Sequence, residues 1–368
     1  MDTGHTELPR TRRFTSSGIV PRLAPVAAFA AALAASGCGS PGGGVDAGNA
    51  GASAEPAATA VTTVPEPQFT LTADQTHARW SRTIEPVLRV PSGTVVEAYL
   101  EEASDQQITP ESTAEVFETI SFDPIHPLTG PVYVEGAEPG DLLAVTLHEI
   151  EIGNWGWTGN FPGFGFLADE FTEPYLRTFR FETGATEAEF APGVRIPLRP
   201  FPGVMGVAPD TDSLLVTIPP RSNGGNMDDR DLVAGTTVYF PVFVEGALFS
   251  LGDPHLAQGD GEVMGTAIEG PLRVVYEVNV IKDRPTIPSP QYETDEYYAV
   301  TGFAPTIDEA GRNATRAMID FLVETHGFSR MEAYALASLA GNLKIAEVVD
   351  VPNMLVTMRI SKAVLGGG

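Results

Sequence analysis

The chain has 368 residues, of which 43% are hydrophobic, and a formal net charge of −26. That length and apolar content suit one large domain or two ordinary ones, each with a real core. The acidity argues against nucleic acid as a partner, since binding it needs basic surface. It argues equally against electrostatic docking on anionic lipid.

In chain order the first element is a leader. Arg10, Arg12 and Arg13 precede an Ala-rich apolar run over residues 27–35, and Ser36-Gly-Cys38 follows. A basic region, a short apolar region and small residues before a cleavage point predict a secretory signal. The run is too short to span a bilayer. Leu33-Ala-Ala-Ser-Gly-Cys38 looks like a bacterial lipobox. Residues 1–38 are therefore expected to be a lipoprotein-type signal ending at lipidated Cys38. That makes an exported protein of the bacterial cell envelope, held on a membrane by acyl chains. Residues 39–66 are mostly Gly, Ala, Ser, Pro, Thr and Val without periodicity, which reads as a flexible tether.

From about residue 68 to 300 the pattern is strand-like. Phe69-Thr-Leu-Thr alternates, and Thr94-Val-Val-Glu-Ala-Tyr-Leu, Leu142-Leu-Ala-Val-Thr-Leu-His-Glu-Ile and Leu272-Arg-Val-Val-Tyr-Glu-Val-Asn-Val-Ile281 are further strands. Residues 236–251 read as one more. Pro-Ser-Gly, Glu-Pro-Gly-Asp, Ala-Pro-Gly and Glu-Gly-Pro punctuate them as turns. Many short strands with Gly/Pro turns predict a mainly β fold, a β-sandwich or barrel-like core. Two helices come late. Thr306-Ile-Asp-Glu309 and Ser329-Arg-Met-Glu332 are capping boxes ahead of apolar residues at helical spacing, with Gly327 and Gly341 as stops. They predict a helical hairpin near the C-terminus. Leu343-Lys-Ile and Leu355-Val-Thr-Met-Arg-Ile are strand-like again. Residues 67–368 are expected to form one domain.

The segment richest in chemistry is Gly252-Asp-Pro-His-Leu-Ala-Gln-Gly-Asp-Gly-Glu262. It holds three carboxylates, an imidazole and a carboxamide, a mixture no core needs, because each buried carboxylate must be paired or coordinated. It reads as a Gly-rich loop leaving a buried strand, a usual setting for a site. In an extended stretch Asp253 and His255 share one face, and Asp260 and Glu262 share another. Such a cluster suits a metal, or general acid and base work divided between carboxylates. Of the six histidines, His77, His126 and His255 sit in polar or turn-rich loops, whereas His148 and His326 read as structural. Trp155, Trp157, Phe161, Phe164 and Phe166 read as core, pocket wall or lid.

This segment resembles the acetamidase/formamidase family of linear-amide hydrolases. The resemblance extends to Asn223-Gly-Gly-Asn-Met-Asp-Asp-Arg-Asp-Leu-Val-Ala-Gly235, to His126-Pro-Leu-Thr-Gly-Pro-Val-Tyr-Val-Glu-Gly-Ala-Glu-Pro-Gly-Asp141 and to the Trp-Gly-Trp stretch with Pro162-Gly-Phe-Gly165. Pro202-Gly-Val-Met-Gly-Val-Ala-Pro209 and Val348-Val-Asp-Val-Pro-Asn353 complete the set, in order, over roughly residues 70 to 360. The resemblance implies functional roles for Asn226 and Asp228, and lifts Glu138, otherwise a turn residue, to a candidate. The implied reaction is hydrolysis of a small amide such as formamide or acetamide to a carboxylate and ammonia.

That reaction needs an activated water, a stabilised oxyanion and a proton for the departing amine. The only cysteine, Cys38, lies outside the globular part, which removes a Cys-Glu-Lys mechanism. None of Lys282, Lys344 and Lys362 lies in a Ser- and Gly-rich loop, and no Gly-x-Ser-x-Gly elbow exists. The remaining supply is a divalent metal, zinc being the first candidate, with Asp253, His255, Asp228 and His126 as ligands. Glu262 is then the general base, while Asn226 and Gln258 bind the substrate amide. A metal-free alternative pairs Glu138 with Glu262. A rival reading is a non-enzymatic surface lipoprotein that binds a small polar solute. The expected partners are thus a small amide and, through Cys38, a membrane; a homo-oligomer stays open.

Overall fold

The computed structural model describes residues 63–366. The expected leader, the expected lipidation site Cys38 and nearly all of the expected tether lie outside these residues. The fold is mainly β, with two nine-stranded curled sheets, a two-stranded ribbon (Glu187–Ala191 with Val194–Pro197) and two helices near the C-terminus. The first large sheet runs Phe69–Leu71, Thr94–Leu100, Leu272–Ile281, Leu142–Ile152, Thr237–Pro241, Gln291–Glu293, Tyr297–Ala304, Met354–Ser361, Gly341–Glu347. The second is built around Phe249–Ala257, which pairs with Phe201–Gly206, Ile268–Glu269 and Leu128–Glu135.

Alternation explains the core. Val96, Leu143, Val145, Val274, Tyr276 and Val278 of the first sheet join Val132, Val134, Met205, Phe249 and Leu251 of the second in one buried cluster. Each such side chain contributes about 1.5–3 kcal/mol by leaving water. Helices α1 (Ile307–His326) and α2 (Arg330–Ala340) cover the far side of the first sheet. The spacing read from sequence holds, because Ala310, Ala314, Met318, Phe321 and Leu322 form the buried stripe of α1. Ser329 and Glu332 make a reciprocal capping box. At Thr306 only half of that exchange forms, since Glu309 turns to Arg316 instead.

One expected strand divides. Residues 236–251 give Thr237–Pro241 in the first sheet and Phe249–Ala257 in the second. Pro241 lacks the N–H that would continue the first ladder, and Gly246, Ala247 and Leu248 adopt left-handed φ values in the crossing between sheets. The expected loop 252–257 is consequently a strand, buried along its whole length. That burial makes its two polar residues, Asp253 and His255, costly and therefore informative.

Candidate functional site

Strand register brings the site together. Phe249–Ala257 carries Asp253 and His255, and His255 lies opposite Glu269 on one side and Phe201 on the other. Gly224–Asn226 pairs with Phe201–Gly206 and delivers Asn226, with Asp228 two residues later. The loop after Ala257 carries Glu262. Gly341–Glu347 and the turn after it bring Glu347 and Asp350, tied to that loop by the Gly261 amide on Ala346 O and the Val348 amide on Gly261 O. His126 arrives just before the strand Leu128–Glu135.

His255 is the hub. Its Nε2 lies 3.2 Å from Glu269, 3.4 Å from Asp253 and 3.9 Å from Glu262, and its Nδ1 is 3.6 Å from Asp228. Nδ1 also pairs with Gln258 Oε1 at 2.8 Å, and the Gln258 amide donates to the Asp228 carbonyl at 2.7 Å. His126 Nε2 stands 3.7 Å from Asp253. Asn226 Nδ2 donates to Asp350 at 2.7 Å. Two triads, Asp228–His255–Glu262 and Asp253–His255–Glu269, converge closely enough for each to share one ion.

The backbone is bent to achieve this. Among the described residues eight non-glycine positions have positive φ, and Asp228, Asp253 and Glu262 are three of them. Left-handed backbone costs a side-chain-bearing residue about 1–3 kcal/mol and persists where the surroundings enforce it, often at functional sites. Gly203 belongs to the same construction. A Cβ there would meet the Asp228 carboxylate and stand 2.9 Å from His255 Cε1. Its carbonyl also accepts the amides of Met227 and Asp228.

Burial sets the electrostatics. It pushes the Asp228 carboxyl up to about 7, with Asp253 adding to it and His255 opposing. Burial, then Asp228, hold Glu262 well above the usual carboxylate range. Asp350 is likewise well up from burial, Glu347 and Asp228, and Glu347 rises to about 8. Burial alone would keep His255 neutral, but Glu269, Asp253 and Asp228 more than offset it and favour the cation. Asp253 goes the other way, since His126 and His255 outweigh its burial and keep it ionised. Carboxyls poised near neutrality beside an ionised one divide acid from base.

All of these groups except Glu347 line a cavity of about 50 Å³, room for a few water-sized groups. Its other end is apolar: Ala103, Ile125, Trp157, Phe161, Phe164 and Ile218. The Trp157 indole is aimed by a 2.7 Å bond to buried Glu102. Both Asp228 oxygens, Asn226 Oδ1 and Glu269 Oε2 are buried without a hydrogen-bond donor. Orphaned acceptors beside imidazoles, all nitrogen and oxygen donors, fit a divalent cation.

Of the residues proposed from sequence, the fold brings Asp228, Asp253, His255, Glu262, His126 and Asn226 into the cavity wall, with Gln258 behind His255. Glu138 is not among them. It sits on an exposed turn, paired with Lys282 at 3.3 Å, so the Glu138–Glu262 pair does not form. Asp260 is also outside, half-exposed and 3.7 Å from Lys344. His77 spends both ring nitrogens on Arg79 O and Ser250 Oγ, and is structural. Sequence reasoning missed Glu269, read as turn punctuation, and Asp350 and Glu347. The signal for Asp350 was present in the Val348–Asn353 motif but was not separated from its neighbours.

The sequence pattern of the Acetamidase/Formamidase family matches residues 65–216 and 212–366. The chain is 32% identical to an acetamidase of Mycolicibacterium smegmatis over 51% of this chain and 61% of that protein. It is 28% identical to a formamidase of Methylophilus methylotrophus over 78% of this chain and 88% of that one. Among solved structures, an acetamidase from Bacillus halodurans superposes with a TM-score of 0.76 at 34% identity, covering 81% of this chain and 98% of that one.

Proposed function

Because the chain belongs to the acetamidase/formamidase family and is an amidase acting on linear amides, we propose that it hydrolyses the C–N bond of formamide- or acetamide-like substrates in the buried acid–histidine cavity. The observation that carries this is the placement of Glu262 in the wall of the buried cavity, 3.9 Å from His255 Nε2, where burial and Asp228 hold its carboxyl well above the usual carboxylate range. Glu262 takes a proton from the attacking water and returns it to the leaving nitrogen, giving carboxylate and ammonia. Asn226 Oδ1, free of donors, accepts from the substrate N–H₂. Gln258 holds His255 in one orientation. The apolar wall takes the acyl group and excludes water, which strengthens every charge inside.

Asp253, His255, Asp228 and His126, joined by Glu269, would hold a divalent cation, zinc by its suitability for mixed nitrogen and oxygen donors. Bound there, it would supply a low-pKa water and polarise the carbonyl. The leader and Cys38 keep export and lipid anchoring as part of this reading. A solute-binding lipoprotein without catalysis draws no support from the relatives, and two poised carboxyls have no use in a binder. Ammonia release from formamide and acetamide, with metal analysis of the purified protein and of His255→Ala, tests the proposal. The wild type should turn over and carry near-stoichiometric metal, and the variant should lose both. An active, metal-free wild type would leave the hydrolysis standing and remove the cation.

A further inference from the structure

Phe164 is shared by two spaces. On one side it closes the apolar end of the 50 Å³ cavity. On the other it borders an open groove of about 830 Å³ walled by Phe166, Leu167, Phe171, Tyr175, Val263 and Met264. We propose that Phe164 is the specificity-determining residue for acyl-chain length, a partition that confines this amidase to short amides and separates the cavity from an apolar channel able to take a longer neutral chain. The proposal rests on the amide reading above, in which the carboxamide meets the acidic end and the acyl group points at the aromatic wall.

The partition is built, not incidental. Residues 161–164 form a tight turn, closed by the Phe164 amide on Phe161 O at 3.0 Å, with Pro162 and Gly163 at its centre and Gly163 at φ 87°. Pro followed by a left-handed Gly is the signature of a type II turn, which sets the direction in which Phe164 leaves the backbone. The ring lies directly on Gly265, where any Cβ would collide with it. The Phe166 amide then hooks onto Val263 O at 2.9 Å. The turn is thereby docked on the loop that carries Glu262, so the filter and the proton-transfer group share one support.

The chemistry of the groove selects its occupant. Seven of its lining residues, Phe164 included, are large and apolar, and Phe166, Leu167, Phe171, Tyr175 and Val263 are exposed. Its charged lining residues are Glu170 and Glu173, and no Lys or Arg lines it among the described residues. An anionic chain is repelled there, whereas an uncharged alkyl or aryl amide gains by burial. Each methylene moved from water into such a groove is worth roughly fourfold in kcat/KM.

The experiment is a chain-length series of formamide, acetamide, butyramide and hexanamide on the wild type, Phe164→Ala, and Phe164→Ala with Phe171→Ser. Wild-type kcat/KM should fall steeply beyond acetamide. Phe164→Ala should raise the hexanamide-to-acetamide ratio by about tenfold or more. Adding Phe171→Ser in the outer groove should cancel that gain and leave acetamide turnover unaltered. If Phe164→Ala lacks a cooperative thermal transition, Phe164→Leu carries the same test with a smaller gain. An unchanged ratio in a variant that still hydrolyses acetamide overturns the filter alone. A gain that survives Phe171→Ser overturns the channel. A wild type that releases no ammonia from any short amide overturns the amide reading and the filter together.

Discussion

Asp228 and Asp229 are neighbours in sequence and both are buried, yet they enter opposite environments. Asp229 and Asp231 meet cations. Lys344 Nζ reaches both, at 2.8 Å to Asp231, while Arg199 and Arg359 each lie 3.1 Å from Asp231 and the Tyr292 hydroxyl donates to Asp229 at 2.7 Å. Burial would raise the Asp231 carboxyl, but Lys344 and the two arginines outweigh it and hold it below the usual range. Asp228 meets only His255 and other carboxylates, and is pushed up to about 7. Residue type and burial are the same, and the counter-charge decides which acid braces the fold and which stays reactive. The two clusters share a strand, since Gly341–Glu347 carries Lys344 into one and Glu347 into the other.

The sharpest way to break this contrast is to remove the proton-transfer group. Glu262→Gln should lower turnover of formamide or acetamide by about 10²–10⁴-fold, with the thermal midpoint near that of the wild type because the loop keeps its shape. Near-normal turnover would move the base to another carboxyl. On the braced side, Lys344→Met leaves Asp229 and Asp231 short of their common cation. Removing one partner of a buried pair costs about 3–5 kcal/mol, measured as a loss of unfolding free energy in denaturant, while Lys344→Arg should recover most of it. A full-stability methionine variant would mean that Arg199 and Arg359 suffice.

Acid and alkali should separate the two clusters. The folded pKa of Asp231 lies below its unfolded value, so its contribution is present above about pH 4 and is lost as pH falls further. The folded pKa of Asp228 lies above 3.8, so chelator-treated protein is favoured at low pH and loses that contribution as pH rises through about 7. The shift corresponds to at most about 4 kcal/mol, shared among coupled carboxyls. Asp228→Asn should flatten the alkaline limb and leave the acid limb, read from thermal midpoints between pH 3 and 9, and an unchanged alkaline limb would assign it to other groups. The smallest effect belongs to Glu138→Gln. Its exposed pair with Lys282 is screened by solvent and adds little to stability, and turnover should stay within about twofold; a large loss would return Glu138 to the mechanism.

Much of this was legible in the chain itself. Period-two alternation predicted Thr94–Leu100, Leu142–Ile152 and Leu272–Ile281, and capping residues with i, i+4 spacing predicted α1 and α2, because those patterns are set by local geometry. Asp253, His255 and Glu262 stood out since carboxylates and imidazole in an apolar context need a reason. What tertiary structure decided was long-range. The crossing after Pro241 moved residues 249–257 into a second sheet, and register then set His255 opposite Glu269. Only that convergence recruited Asp350 and Glu347 and left Glu138 in solvent. It also divided Asp228 from Asp229, because a carboxylate's role is fixed by which charges the fold brings within a few ångströms, a property of the folded neighbourhood and not of the residue.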